Sequence, residues 1–154
     1  MTNYVAQSVT LGQTFVNTIL DALLTRPAGA LIVTGKLRLS KDPSLVITPQ
    51  STRAALAANE ADYSGYTAGG IAAVVSAPVN LSNNAHGVLV QGLFEATTAT
   101  PFVSANVTGW WIDDGTNLIA GERFSGNQIA AFAAVGAYLS LTAMVPLQLI
   151  QGTI

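Results

Sequence analysis

The chain has 154 residues, of which 50% are hydrophobic and only 9% are charged, and its formal net charge is −2. This length fits one domain, but soluble domains carry about 25% charged residues, so we expect partners or further copies to cover much of the surface. The scattered basic residues exclude the electrostatic footprint of a nucleic-acid-binding or membrane-surface protein, and the absence of cysteine removes disulfides and thiolate sites.

Residues 1–29 are predicted to form an arm followed by one amphipathic helix. Thr10 and Gln13 have the spacing of a capping box, and the helix is expected to end before Arg26. Packing of this helix on its own sheet is favoured over docking onto another protein. Its apolar residues cover about half of the circumference: Leu11, Phe15, Val16, Ile19, Leu20, Leu23 and Leu24. Three of them are candidate partner contacts: Leu11, Phe15 and Ile19. No secretory signal is expected at the N-terminus.

The middle of the chain alternates between strand and loop patterns. Residues 30–40 place Leu37 and Leu39 on one face and Arg38 and Ser40 on the other, which predicts a strand. A loop with a short helical turn near residues 56–62 follows, and then a short apolar strand over residues 71–76. The strand predicted over residues 88–96 has less clearly divided faces.

A β-hairpin is predicted over residues 107–124. Two apolar arms flank residues 113–117, where Gly115 is free to take a positive φ and the Asp and Asn side chains can bond the local backbone. Trp110 and Trp111 are consecutive on the first arm and therefore point to opposite faces. One can fill the core, while the other is either an anchor for a partner or a sugar ring, or is covered by the chain itself.

The last segment is uncharged and long enough to cross a membrane as a helix, but its pattern has a period of two. Apolar residues share one parity: Leu139, Leu141, Ala143, Val145, Leu147 and Leu149. This pattern predicts a half-buried strand, in which Pro146 indicates an edge position or a bulge. We therefore expect a mainly β fold, an antiparallel β-sandwich or barrel over residues 30–154 with one N-terminal amphipathic helix, and no membrane span.

No catalytic, cofactor or metal site is predicted. The single histidine, His86, lies in a turn-like setting, and no Gly-x-Ser-x-Gly elbow accompanies it. Asp113 and Asp114 lack the alternation of a calcium loop, so a hairpin turn is favoured. Glu95, Asp113 and Glu122 could supply a glycosidase-type carboxylate pair, but nothing in the sequence brings two of them together. An enzyme is therefore the least favoured class.

Several features taken in order resemble small β-rich virion proteins of tailed bacteriophages. The resemblance spans about residues 30–150 and begins with the strand at Leu37 to Leu39 and the following Pro49. It continues with Glu-Ala-Asp-Tyr-Ser-Gly-Tyr at residues 60–66, Ser-Ala-Pro at residues 76–78 and an Asn-rich loop. Gly-Trp-Trp-Ile-Asp-Asp-Gly at residues 109–115, Ala-Gly-Glu-Arg-Phe at residues 120–124 and a last Thr- and Leu-rich strand complete it.

This resemblance implies a non-enzymatic structural role in the virion, which assembles in the host cytoplasm. The expected function is that of a head decoration (cement) protein that binds the major capsid protein or another virion protein, as a homo-oligomer with a trimer favoured. A tail- or fibre-associated subunit is the alternative. A carbohydrate-binding β module that uses an exposed tryptophan is a further alternative. The expected partners include neither nucleic acid nor a membrane.

Overall fold

The computed structural model describes residues 2–5, 10–11, 35–75, 79–80, 86–98, 100–125 and 130–147. These residues form twelve strands and one short helix. The strands are β1 (Thr2–Val5), β2 (Thr10–Leu11), β3 (Lys36–Ser40), β4 (Ile71–Ala72), β5 (Val74–Val75), β6 (Val79–Asn80), β7 (His86–Glu95), β8 (Ala105–Val107), β9 (Gly109–Asp113), β10 (Leu118–Arg123), β11 (Ala130–Phe132) and β12 (Tyr138–Leu147), and the helix is α1 (Arg53–Ala57).

Sheet A is built on the long antiparallel ladder between β7 and β12. The ladder runs from the pair Tyr138–Glu95 to the pair Leu147–His86. β1 adds to the far side of β12, and β5 and β6 add to the far side of β7. The predicted alternation is confirmed for Leu139, Leu141, Ala143 and Val145, which are all buried, whereas Leu149 lies outside the described residues.

Sheet B contains the predicted hairpin at its centre, in the order β2-β10-β9-β3-β4. β9 and β10 pair antiparallel, and β3 pairs with the other side of β9. Gly115 adopts a φ of 95° in the turn, as the sequence predicted. A smaller sheet pairs β8 with β11.

One hydrophobic core draws side chains from both large sheets. Leu37, Trp110 and Ile112 of sheet B belong to the same buried cluster as Phe94 and Leu141 of sheet A. Alternation explains this arrangement, because every second residue of a strand points to the same face. The predicted mainly β, antiparallel fold is confirmed, and the sheets do not close into a barrel.

The N-terminal residues differ from the prediction where the structure describes them. Thr2–Val5 of the predicted arm form β1, which pairs parallel with β12 and not antiparallel. Thr10 and Leu11, predicted to begin a helix, form β2 against β10, so the prediction is wrong for these two residues. Ladder hydrogen bonds to an existing sheet edge override a capping signature that is purely local. The rest of the predicted helix lies outside the described residues.

Three other boundaries differ from the sequence prediction. The short helix covers Arg53–Ala57 and not residues 56–62, because Thr52 accepts a hydrogen bond from Ala55 N at 3.3 Å and caps the helix earlier. The predicted strand at 71–76 is two strands, β4 in sheet B and β5 in sheet A, so the chain changes sheets at Ala73. His86 begins β7 and does not lie in a turn.

Pro146 lies at an edge position, one of the two settings that the sequence predicted for it. It pairs with Gly87 of β7, whereas β1 pairs only with residues 139–142 of β12. In the part of the chain that the structure describes, β12 therefore has no neighbour at Pro146 on the side away from β7. A residue without a backbone donor is tolerated at such an edge.

Gly70 is a position where a side chain cannot be accommodated. It adopts a φ of 76°, and an added Cβ would overlap the carbonyl oxygen of Leu37 and the Cγ atom of Arg38. We expect Gly70→Ala to lower the free energy of unfolding by about 2–4 kcal/mol, the sum of left-handed strain and overlap. Denaturant unfolding measures this loss.

Gly115→Ala is the matched control, because Gly115 also has a positive φ but nothing lies within 4 Å of an added Cβ. We expect Gly115→Ala to lower the free energy of unfolding by about 1–2 kcal/mol, from the strain of the left-handed conformation alone. Equal losses for the two variants would contradict the close approach of Gly70 to β3.

Candidate functional site

The outer face of sheet B is covered by the chain itself. Residues 41–59, which include α1, form a covering segment that holds a second apolar cluster against the sheet. The cluster comprises Leu45, Leu56, Trp111 and Leu118, with Ile47 partly buried beside them. Arg123 Nη2 donates to the carbonyl oxygen of Pro43 at 2.8 Å and ties the segment to β10. The face that carries Arg38 and Ser40 is therefore buried.

A buried ion cluster lies beside this apolar cluster. Arg38 of β3 donates from Nε to Oδ2 of Asp113 on β9 at 2.6 Å, and the Asp113 side chain is fully buried. Arg53 of α1 donates from Nε to Oδ1 of Asp113 at 3.3 Å, which attaches the covering segment to the sheet. Trp111 Nε1 and the Gly115 backbone N–H donate to the same carboxylate at 3.2 and 2.9 Å.

Glu60 extends the cluster towards the loop that precedes β4. Its Oε2 accepts from Arg38 Nη1 at 2.9 Å, and its Oε1 accepts from the Tyr66 hydroxyl and the Gly69 N–H at 2.8 and 2.9 Å. The Tyr66 oxygen in turn accepts from the Leu39 N–H at 3.2 Å. One hydrogen-bonded network therefore connects β3, β9, α1 and the loop before β4.

The pKa values of Arg38 and Tyr66 reflect the burial of the ion cluster. Burial would lower the pKa of Arg38, but the hydrogen bonds and charges of Asp113 and Glu60 outweigh burial and raise that pKa above its ordinary value. Burial raises the pKa of the Tyr66 hydroxyl. Both groups stay in their protonated forms at neutral pH, so neither is suited to take up a proton in a reaction.

Every carboxylate oxygen of the ion cluster already accepts a hydrogen bond from the protein. Two of these oxygens belong to Asp113 and two to Glu60. A carboxylate in this state is neither a free base nor an open ligand for a cation. The ion cluster therefore has a structural role, which is to attach the covering segment to the sheet. Removing one partner of a buried pair would leave an uncompensated charge and destabilise this attachment.

The Asp113-Asp114 pair supports the interpretation as a hairpin turn over that as a calcium loop. Asp114 Oδ1 accepts from the Thr116 and Asn117 N–H groups at 2.8 and 2.6 Å. Burial would raise the pKa of Asp114, but these backbone hydrogen bonds outweigh it and lower that pKa. Among the residues that the structure describes, no group of three or more acidic or histidine side chains could hold a metal ion.

The three candidate glycosidase carboxylates are placed apart. Glu95 is exposed on sheet A, and Asp113 lies in the ion cluster on the outer face of sheet B. Glu122 pairs across the ladder with Trp110, so its side chain leaves on the face opposite to that of Asp113. The fold therefore does not assemble a pair of carboxylates from these residues.

Both tryptophans are fully buried, with 0% of their surface exposed. They do point to opposite faces, as predicted: Trp110 lies in the core between the sheets and Trp111 beneath the covering segment. Of the two alternatives for the outer ring, the structure supports coverage by the chain itself and not an exposed anchor. The glycan-binding alternative that depended on that ring loses its basis.

The remaining predicted contact residues are only partly described. Leu11 pairs through its backbone with Ala120 in sheet B. Phe15 and Ile19 lie outside the described residues, so their part in partner contacts stays a prediction. For His86, the structure gives the strand position and the backbone pairing with Leu147.

The outer face of sheet A contrasts with that of sheet B. It is formed by alternate residues of three strands: Val74 of β5, Leu89, Gln91, Leu93 and Glu95 of β7, and Tyr138, Ser140, Thr142 and Met144 of β12. Leu93 and Val74 expose 59% and 64% of their surfaces in the described structure. Glu95 is the single charged side chain among these nine residues. The sequence obscured this face, because Leu89 and Leu93 interrupt the polar side of β7.

Comparisons with known proteins identify no relative. No family model matches the chain, and neither a similar curated protein nor a similar solved structure was found. None of the helices in the described ranges is long and apolar enough to span a bilayer.

Proposed function

We propose that this chain is a non-enzymatic structural subunit of a virus particle, a decoration (cement) protein that binds and stabilises an assembled phage capsid. The observation that carries the proposal is the outer face of sheet A. It has exposed Leu93 and Val74 and a single charge, on a chain whose charged fraction is 9%. Apolar patches of this kind on a protein surface mark sites that a partner covers.

The buried ion cluster supports a passive role. It uses Asp113 and Glu60 to fix the covering segment, and all four of their oxygens accept hydrogen bonds from the protein. A rigid subunit loses less conformational entropy when it docks on a lattice, so more of the contact energy remains as affinity. The resemblance of residues 30–150 to small β-rich virion proteins also favours this role.

Binding to the assembled shell should stabilise it by linkage. A ligand that binds only the assembled state adds about 2.7 kcal/mol when its free concentration is a hundred times Kd. We therefore expect the purified chain to co-sediment with capsids that lack it, to saturate at a regular number of copies, and to raise the capsid melting temperature as its concentration rises. Capsids that already carry the chain are the control and should bind no more.

The result of this experiment also distinguishes a head decoration protein from a tail- or fibre-associated subunit. Binding in a few copies, without a change in capsid melting, would transfer the proposal to a tail- or fibre-associated subunit. Absence of co-sedimentation with either the head or the tail would contradict a structural role in the particle.

A further inference from the structure

The hairpin turn between β9 and β10 contains the peptide bond of this sequence that is most prone to rearrange. Asp114–Gly115 is the only place where Asp or Asn is followed by Gly. Glycine has no Cβ to hinder its own amide nitrogen, so that nitrogen can readily attack the carboxyl carbon of a preceding aspartate. Asp114 and Gly115 are both exposed, and nothing lies within 4 Å of a Cβ added at Gly115. Neither packing nor exclusion of water therefore protects this peptide bond.

The rearrangement needs no reactant other than water. The Gly115 nitrogen bonds to Cγ of Asp114, and its proton leaves as water together with the hydroxyl of the protonated carboxyl group, which closes a succinimide ring. A water molecule then opens the ring. Opening at the former main-chain carbonyl leaves isoaspartate, in which the chain runs through Cβ and Cγ and is one carbon longer. Because the turn fixes the register of a hairpin, the added carbon would disturb the pairing of β9 with β10.

The attacking nitrogen is held by the residue that precedes this peptide. The Gly115 N–H donates to Oδ1 of Asp113 at 2.9 Å. Asp113 is itself fixed, because it accepts from Arg38 Nε at 2.6 Å and from Arg53 Nε at 3.3 Å. To react, the Gly115 nitrogen must lose the proton that it donates and turn towards Asp114. Loss of that proton places negative charge beside the Asp113 carboxylate, which like-charge repulsion opposes.

The carboxyl group that would be attacked is held as well. Asp114 Oδ1 accepts from the N–H groups of Thr116 and Asn117 at 2.8 and 2.6 Å, and its Oδ2 accepts from Asn117 Nδ2 at 3.3 Å. These hydrogen bonds lower the pKa of Asp114, whereas ring closure consumes the protonated form of the carboxyl group. The carboxylate is thereby directed to the two residues that follow Gly115.

We infer that the buried ion cluster has a second role, in which Asp113 protects the Asp114–Gly115 peptide bond from isoaspartate formation by holding the Gly115 N–H. Asp113 is a positioning residue in this role, because it acts on the nitrogen and is not itself modified. The role concerns only the chemistry of the turn and is independent of the proposed function.

The test is the rate of isoaspartate formation at residue 114 in the full chain, measured by peptide mapping and mass spectrometry after incubation at neutral pH. The native chain should react about 10- to 100-fold more slowly than the same chain in urea, because hydrogen bonds to charged groups must break first. Asp113→Ala should lose most of this protection in the folded state, which circular dichroism verifies. Asn117→Ala removes only the Nδ2 hydrogen bond to Asp114, so it should lose a smaller part.

Trp111→Ala is the matched control for stability. It is expected to destabilise the fold about as much as Asp113→Ala, but it leaves the hydrogen bond from Gly115 to Asp113 in place, so Asp114 should stay protected. Equal acceleration in the two variants would show that general unfolding sets the rate, and would overturn the role of Asp113.

Two further results would also overturn this role. They are equal rates for the native and the urea-unfolded wild-type chain, and a folded Asp113→Ala variant that reacts as slowly as the wild type. Asp113→Asn retains the shape of the side chain without its charge and should be accelerated as well. That variant decides the matter if Asp113→Ala does not fold.

Discussion

Asp113→Ala is expected to lower the free energy of unfolding by about 3–5 kcal/mol, which is the usual loss when one partner of a buried ion pair is removed. Asp113 is fully buried and accepts hydrogen bonds from Arg38, Arg53, Trp111 and Gly115. Without it, the Arg38 guanidinium keeps only Glu60 as a counter-charge. Because domains are stable by only about 5–15 kcal/mol, denaturant titration should show a large shift in midpoint.

Asp114→Ala is the matched control for this prediction. Asp114 is the next residue in the chain, but it is exposed and forms hydrogen bonds only within its own turn. We therefore expect Asp114→Ala to lower the free energy of unfolding by only about 1 kcal/mol. If the two alanine variants lose the same stability, the ion cluster does not act as a clamp.

Trp111→Ala is expected to release the covering segment from sheet B. It removes the largest side chain of the cluster that also contains Leu45, Leu56 and Leu118, together with the hydrogen bond to Asp113. The expected loss is about 3–5 kcal/mol, as for other buried tryptophans truncated to alanine. Limited proteolysis should find new cleavage sites within residues 41–59, because that segment loses its main apolar contact.

Val46→Ala tests whether this effect is specific to the buried face of the segment. Val46 belongs to the same segment but is 70% exposed, so its expected change is within about 0.5 kcal/mol. A Trp111→Ala variant that keeps residues 41–59 resistant to protease would show that other contacts hold the segment.

The strands that the sequence predicted well are those with an unambiguous local signal. β12 alternates without ambiguity, and the hairpin of β9 and β10 has both apolar arms and a turn that only a few residue types can form. In these elements the local pattern and the tertiary environment agree, so the local pattern is sufficient to identify the strands.

The sequence could not reveal that the second face of β3 and β9 is buried as well. Arg38 and Asp113 look like surface residues, and only the fold brings them together across a separation of 75 residues. The covering segment has no strand or long helix to signal a packing element, and Trp111 appeared equally suited to a partner site. The sequence alone does not distinguish a buried ion pair from an exposed one.

The N-terminal strands were missed for a related reason. β1 and β2 are only four and two residues long, too short for a period to be recognised. Their conformation depends on the edges of β12 and β10, which are distant in sequence. The division of residues 71–75 between two sheets is likewise a property of the assembled core, since the apolar run itself is continuous.

Cryo-electron microscopy of the purified particle tests the proposed structural role most directly. We expect density for this chain in regular copies on the outer shell, with the outer face of sheet A covered by a neighbouring subunit of the shell and the covering segment of sheet B in place. Particles whose shell and tail contain no density that fits the two sheets would contradict a structural role in the virion.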